Sequence, residues 1–290
     1  MDLNARINAA LRRAIDATAR ASCPPRLVDA IDYAVFPGGH RIRPRLCLAV
    51  AAAHEDCDPE VADAAVTSIE FLHCASLVHD DMPCFDDAAT RRGKPSVHVA
   101  FDEPTALLCG DALIVLAFQT LAGAARKAPR RAASLLAIVG DGVGVPNGIV
   151  AGQGWECEEA APIEEYQRAK TGALFAAATM AGAAAAGSDH RGWGLLGQRI
   201  GEAYQVADDL LDRFGDPEVI GKPVGQDATF ERPNAVDEMG EKGASRRLRE
   251  MIEEAIDSVP DCSGRHRLTQ LIQQEAGRFM DLALNGRAAA

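Results

Sequence analysis

Two short runs of aspartate are the residues in this chain best suited to chemistry. The first is Asp80-Asp81-Met82-Pro83-Cys84-Phe85-Asp86-Asp87 and the second is Asp208-Asp209-Leu210-Leu211-Asp212. On a helix, Gln205, Asp208, Asp209 and Asp212 stand at i, i+3, i+4 and i+7, which is one polar face. Stacked like charges are destabilising unless water or a cation compensates them. One such cluster reads as a solvated acidic face. Two of them, each beside a strongly apolar helical stretch and each carrying an aspartate pair with a further acid beyond it, favour a bound cation. The ligands are carboxylates with no His or Cys interleaved, which suits a hard, oxygen-seeking ion such as Mg²⁺. Mg²⁺ takes one or two protein carboxylates and completes its shell with water and substrate phosphate. The DxDxDG spacing of a calcium loop is absent.

Basic residues alternate with these acids. Arg41, Arg43 and Arg45 lie within five positions, after Gly38-Gly39-His40. Arg91-Arg92-Gly93-Lys94 follows the first acidic run, and Lys170-Thr171, Lys222 and Arg232 stand near polar loops. Guanidinium groups grip phosphate oxygens bidentately and lysine acts as a point charge. Each alone reads as a surface charge. Together with metal-type acids they suggest a diphosphate site. The glycines form no Walker or dinucleotide motif, so a nucleotide is not indicated.

Helices must position these groups. The chain has 290 residues, 48% hydrophobic and 5% aromatic, with 54 alanines, a composition that favours helix over sheet. Apolar periodicity predicts helices near 3–20, 25–35, 41–54, 60–82, 105–125, 130–142, 164–186, 192–213, 243–257 and 264–284. No strand pattern and no internal repeat is evident. Breakers separate the helices at Cys23-Pro24-Pro25, Pro37-Gly38-Gly39, Gly93-Lys94-Pro95, Val145-Pro146-Asn147-Gly148 and Asp216-Pro217. Pro83 should end or kink a helix close to Asp80 and Asp81. No linker divides the chain, so a single all-α domain over 1–290 is expected. The polar stretch Gly215 to Asn234 is the longest loop, of the kind that is often functional.

Asp and Glu number 42 against 30 Lys and Arg, a net charge of −12. That argues against a non-specific nucleic-acid binder, which needs a basic face. It also argues against an anionic substrate, yet seven of the acids sit in the two clusters. Setting those seven aside leaves −5, so the acidic total is partly a metal-binding inventory. The eight cysteines form no CxxC pair and no secretory leader is evident, which points to free thiols in a reducing cytoplasm. The N-terminus places Leu3, Ile7, Leu11 and Ile15 on one helical face. The longest apolar run, Ala173 to Gly187, falls short of the roughly 18 residues that would span a bilayer. It reads as a buried, closely packed helix, and no membrane span is expected.

The ordered motifs resemble the trans-isoprenyl diphosphate synthase (polyprenyl synthetase) family. They are Pro37-Gly38-Gly39-His40-Arg41-Ile42-Arg43-Pro44, Phe71-Leu72-His73, Ser76-Leu77-Val78-His79-Asp80-Asp81-Met82-Pro83, Arg91-Arg92-Gly93-Lys94-Pro95, Gly110-Asp111-Ala112-Leu113, Gly152-Gln153, Lys170-Thr171-Gly172 and Gln205-Val206-Ala207-Asp208-Asp209-Leu210-Leu211-Asp212. The pattern is most similar to geranylgeranyl diphosphate synthases of bacterial carotenoid pathways. The resemblance implies an all-helical bundle around a deep central cavity, usually in a homodimer. It further implies condensation of isopentenyl diphosphate with an allylic partner, namely dimethylallyl, geranyl or farnesyl diphosphate. Asp80, Asp86 and Asp208 would bind Mg²⁺, three ions with substrate bound, with Asp81, Asp209 and Asp212 assisting. Arg91, Lys170 and Lys222 would hold the allylic leaving group. His40, Arg43, His73 and Arg92 would hold isopentenyl diphosphate, while Thr171 and Gln205 would steer the developing cation.

Two departures from the family pattern stand out. His40 occupies the place of the usual lysine and is a weaker, pH-dependent cation. Arg232 replaces a lysine often found beyond Lys222. No metal carboxylate is missing, so catalytic activity is expected. Product length follows from Ala75 and Ser76. Ala75 lies five residues before Asp80, about 7.5 Å deeper along a helix axis, and is no aromatic plug. A C20 product is therefore favoured over the C15 product of a farnesyl diphosphate synthase. A class I terpene cyclase would carry an Asn/Ser/Glu metal triad in place of the second aspartate run. A non-catalytic regulatory subunit would show damaged acidic motifs, and both are intact here.

Overall fold

The helices begin where the sequence supplies caps. Asp2, Asp58 and Asp102 accept hydrogen bonds from the backbone N–H groups of Asn4, Glu60 and Thr105, at 2.9, 2.9 and 2.7 Å. Proline occupies the first turn of four helices, where its missing N–H costs nothing. In this computed structural model, which describes residues 2–18, 22–36, 39–160, 162–214 and 235–285, the elements run as follows. Helix α1 spans Leu3–Asp16, α2 Pro25–Val35, α3 Ile42–Ala52 and α4 Pro59–Asp80. A two-stranded antiparallel hairpin of β1 (Thr90–Arg91) and β2 (Lys94–Pro95) precedes α5 (Val97–Ala100) and α6 (Glu103–Ala124). Then come α7 (Pro129–Val143), α8 (Ile149–Trp155), α9 (Ile163–Gln167), a π-helical turn (Arg168–Gly172) and α10 (Ala173–Ala185). A 3₁₀ turn (Arg191–Trp193) leads into α11 (Gly194–Phe214), followed by α12 (Ala235–Asp257) and α13 (Arg265–Asn285).

Among the described residues the fold is all-α apart from the hairpin, and the predicted helices are present. Four differences stand out. α1 stops at Asp16, short of the expected 20. Gly240, at φ 69 and ψ 167, breaks α12, so its regular part begins close to the expected 243. α8 is short and rich in glycine, with no apolar period to betray it. The hairpin pairs only Thr90 with Pro95 and Arg91 with Lys94, too few residues to alternate.

Helix α10 is the centre of the bundle, packed by α3, α4, α7 and α11. Its alanines from Ala176 to Ala185 are buried, as the apolar run suggested. Small side chains allow the close approach. A Cβ added at Gly182 would lie 2.4 Å from the Cys47 carbonyl oxygen of α3, and one at Gly197 would lie 2.3 Å from the Phe175 oxygen. Thr179, the polar exception, is fully buried and donates to the Trp193 carbonyl at 2.7 Å.

Helices α4 and α6 both contain windows long and apolar enough, by length and composition alone, to cross a membrane, a property that buried core helices share. Single charged residues interrupt those windows without making the segments polar. The α4 window is 78% buried in the bundle, whereas α6 is 33% buried and leaves Leu107, Leu108 and Val115 about half exposed.

The packing around α10 separates two opposing effects of a methyl group. Gly182→Ala gains up to about 1 kcal/mol of helix propensity but should lose about 1–3 kcal/mol by overpacking against α3. The net expectation in denaturant unfolding is destabilisation. Gly123→Ala, where an added Cβ meets nothing within 4 Å, should instead be neutral or stabilising. A stabilised Gly182→Ala protein would contradict this account of the α3–α10 contact.

Candidate active site

The first acidic cluster forms where α4 ends. Asp80 is the last helical residue, Asp81 is the C-cap and Pro83 stands just beyond, as its chemistry requires. The chain then folds back, with the Asp86 N–H donating to the Asp80 carbonyl at 2.9 Å and the Ala88 N–H to that of Asp81 at 3.1 Å. Asp80 and Asp81 are both buried. Burial raises the pKa of each carboxyl, opposed by Lys170 and Gln153 at Asp80 and by Arg91 at Asp81. For a carboxylate the sign is adverse. The ionised form costs folding free energy at neutral pH, and that cost fades as pH falls through the raised pKa. Cations that offset it stand nearby. Arg91 donates to Asp81 Oδ1 through Nε at 3.0 Å and Nη2 at 2.5 Å, and Lys170 Nζ is 3.9 Å from Asp80 Oδ2.

The Gly152-Gln153 motif on α8 serves the same cluster. Gln153 Nε2 donates to Asp80 Oδ1 at 2.8 Å and to the Ser76 carbonyl at 3.2 Å. A Cβ at Gly152 would fall 2.5 Å from the Lys170 backbone, so glycine lets α8 lie against the π-helical turn. Sequence reasoning missed Glu156, which accepts from Lys170 Nζ at 2.5 Å and from the Tyr166 hydroxyl at 2.7 Å. Its signal was an acid three residues after Gln153 on one helical face. Gly110 is explained similarly, since a Cβ there would lie 2.1 Å from His79 Nε2.

The second cluster lies on α11. Asp209 and Asp212 are buried, and Asp208 is half-buried. Gln205 Nε2 donates to Asp209 Oδ1 at 3.0 Å, and the Thr171 hydroxyl donates to Gln205 Oε1 at 3.4 Å. Consecutive residues of the π-helical turn therefore address the two acidic clusters, Lys170 the first and Thr171 the second. π-Helical turns inside helices occur often at functional sites. Here the turn unites carboxylates more than 120 positions apart in the sequence.

The three clustered arginines separate. Arg41 is buried and ion-paired with Glu70, and Arg45 pairs with Glu275. Arg43 has its Nη1 3.5 Å from His73 Nε2 and its guanidinium 4.3 Å above the Phe175 ring, with Tyr204 at 5.9 Å. His73 is pushed well below the usual histidine pKa by burial and then by Arg43 and Arg92, so it is neutral. Arg92 packs on Gly39, whose added Cβ would be 2.9 Å from Arg92 Nε. His40 beside it is exposed, yet the surrounding protein, followed by Arg92, lowers its pKa. It is a weaker cation than a lysine would be at this position. Ala75 is buried in the apolar core, and the Ser76 hydroxyl turns back to the His73 carbonyl at 2.9 Å. Lys222 and Arg232 lie outside the described residues.

Among the described residues, no three His, Cys, Asp or Glu side chains stand together closely enough to hold a metal. An all-carboxylate set divided between two helices fits a hard ion whose shell is completed by substrate oxygens. It does not fit an all-protein cage.

Residues 24–268 match the family model described as polyprenyl synthetase. The chain is 50% identical over 287 residues to a protein named geranylgeranyl diphosphate synthase from Cereibacter sphaeroides, covering 99% of this chain and all of the relative. It is 35% identical over 244 residues to the farnesyl diphosphate synthase of Haemophilus influenzae, covering 80% of this chain and 82% of that one. Its fold is similar to the crystal structure of a geranyltransferase from Helicobacter pylori complexed with magnesium and isoprenyl diphosphate. That match has a TM-score of 0.78 and 26% identity, covering 96% of this chain and 98% of the other.

The divided carboxylates should bind metal and diphosphate only jointly. Mg²⁺ with inorganic diphosphate should raise the thermal midpoint well beyond either alone, by about 2.7 kcal/mol of stability at a hundredfold excess over the dissociation constant. Asp80→Asn combined with Asp208→Asn should abolish the joint effect. Equal stabilisation by diphosphate without Mg²⁺ would argue against a metal role for these acids.

Proposed function

The chain belongs to the polyprenyl synthetase family and is a trans-prenyltransferase, and from that premise we propose that it condenses isopentenyl diphosphate with allylic diphosphates to give mainly geranylgeranyl diphosphate. The observation that carries this reading is the junction of the two acidic clusters through Lys170 and Thr171. That junction assembles one diphosphate-ionising centre beside a separate cationic pocket at Arg43, His73 and Arg92. The full-length similarity to the Cereibacter sphaeroides synthase supports the C20 product, as does the small side chain of Ala75.

Asp80, Asp86 and Asp208 would hold Mg²⁺, up to three ions, with Asp81, Asp209 and Asp212 as further or water-mediated ligands. Bound there, Mg²⁺ would neutralise charge developing on the departing diphosphate and lower the ionisation barrier. Lys170 and Arg91 donate to oxygens of the same leaving group, exchanging Glu156 and Asp81 for the substrate. The allylic carbon–oxygen bond breaks with its electron pair leaving on diphosphate. Arg43, Arg92, His40 and neutral His73 hold isopentenyl diphosphate so that its double bond meets the allylic carbon. Its π electrons form the new carbon–carbon bond, and a proton passes to the released diphosphate. Thr171 and Gln205 present uncharged oxygens to the cation, and the apolar faces of α4 and α10 keep water away.

The outer face of α6 supports a homodimer, because Leu107, Leu108 and Val115 are 48%, 54% and 53% exposed in the single chain. The eight cysteines are free thiols, which supports a cytoplasmic setting. The C20 product suits supply of a carotenoid pathway.

Incubation with Mg²⁺, labelled isopentenyl diphosphate and each allylic starter in turn should yield mainly C20 alcohol after dephosphorylation. Ala75→Tyr should shift chromatographed products towards C15. Retention of C20 would mean that the cavity floor lies elsewhere, and absence of turnover would leave the regulatory-subunit reading. By light scattering the native chain should have twice its sequence mass, and Leu108→Glu should give the monomer. A native monomer would remove the dimer.

A further inference from the structure

Two cations that the proposed chemistry does not use converge on the C-terminal end of α2. The last turn of a helix leaves carbonyls without intrahelical partners, and its dipole favours positive charge there. Lys94, from the hairpin, donates through Nζ to the carbonyls of Tyr33 at 3.1 Å and Phe36 at 2.7 Å, over the Tyr33 ring at 3.9 Å. Arg41, from the loop before α3, donates through Nη2 to the Val35 carbonyl at 2.6 Å and through Nη1 to Glu70. Arg41 and Glu70 are 5% and 1% exposed, so this ion pair is sealed from water.

Each anchor lies two residues from a cation of the proposed isopentenyl pocket. Lys94 follows Arg92, and Arg41 precedes Arg43. Glu70 lies one helical turn before His73 on α4. Arg41 and Arg92 both adopt left-handed backbone, at φ 53 and 54. That conformation is unfavourable for arginine and persists where surrounding contacts over-determine it. The Arg41–Glu70 and Lys94 contacts do so here. A buried ion pair is weak evidence for stability by itself, since two desolvated charges often contribute no more than a hydrophobic replacement. Its more informative property is geometric. It ties α2, α4 and the first turn of α3, which carries Arg43, together, while Lys94 ties the Arg92 turn to the same helix end.

We infer that Arg41, Glu70 and Lys94 are positioning residues that hang the two halves of the isopentenyl diphosphate pocket, Arg43–His73 and Arg92, on the C-terminal turn of α2. The inference rests on the reading of those residues as the isopentenyl site. Misplacement of a binding group by about 1 Å can cost up to a hundredfold, so the anchors act through distance.

The test uses steady-state kinetics of the full chain with Mg²⁺, isopentenyl diphosphate and an allylic starter, together with the thermal midpoint. Lys94→Met keeps the aliphatic stem on Tyr33 and removes the charge. Arg41→Met combined with Glu70→Met removes the ion pair without leaving an unpaired buried charge. Both should raise the KM for isopentenyl diphosphate about tenfold or more while leaving the allylic KM within about twofold. Lys94→Arg should restore most of the loss. Arg43→Met serves as the direct-contact control. If Arg43→Met leaves the isopentenyl KM unchanged, the site reading fails. If Arg43→Met raises it while Lys94→Met and the double variant do not, the positioning inference is overturned. A double variant too unstable to assay leaves Lys94→Met to decide, and equal loss for both substrates at a lowered midpoint would mean that the anchors only support the fold.

Discussion

Carboxylates crowded at a buried helix end are the constraint around which this structure is organised. Asp80 and Asp81 close α4 with almost no exposure, where burial raises their pKa and ionisation is costly. Arg91, Lys170 and Gln153 lie within reach and offset part of that cost. The remainder is unfavourable for folding, and a site rich in poorly compensated negative charge is one that a divalent cation improves. The positive groups that pair with these carboxylates are also those suited to gripping a diphosphate.

The bundle exists to bring the second acidic run to the first. α10 can sit among four helices because alanine and glycine let backbones approach, and its N-terminal end is distorted into the π-helical turn that carries Lys170 and Thr171. One residue of that turn faces α4 and the next faces α11. The glycines of the sequence motifs support this arrangement without chemistry of their own. Gly152 admits the Lys170 backbone and Gly39 admits the Arg92 guanidinium. A net charge of −12 thus coexists with a site for anions, because local lining and not the total decides what binds.

The helical plan was legible because apolar periodicity, caps and breakers are local signals. The acidic runs and the basic positions that alternate with them were legible because their types and registers restrict the chemistry. Glu156 and Glu70 were not legible as partners, since a glutamate is uninformative until its cation arrives from elsewhere in the chain. α8 and the hairpin escaped notice because they are too short to establish a period.

The arginine cluster marks the boundary most clearly. The amino-acid sequence by itself determined that helices would form, and its two acidic runs and the basic groups between them narrowed the chemistry to be expected. It could not distinguish among Arg41, Arg43 and Arg45 on physical grounds, since all three offer the same fork of donors. Tertiary structure decided that Glu70 takes the first and Glu275 the third, leaving the second over Phe175 beside His73. The reason is that helix and charge pattern are set by neighbours within a few residues. An ion pair is set by whichever distant segment packing brings within a few ångströms, and only the folded chain defines that.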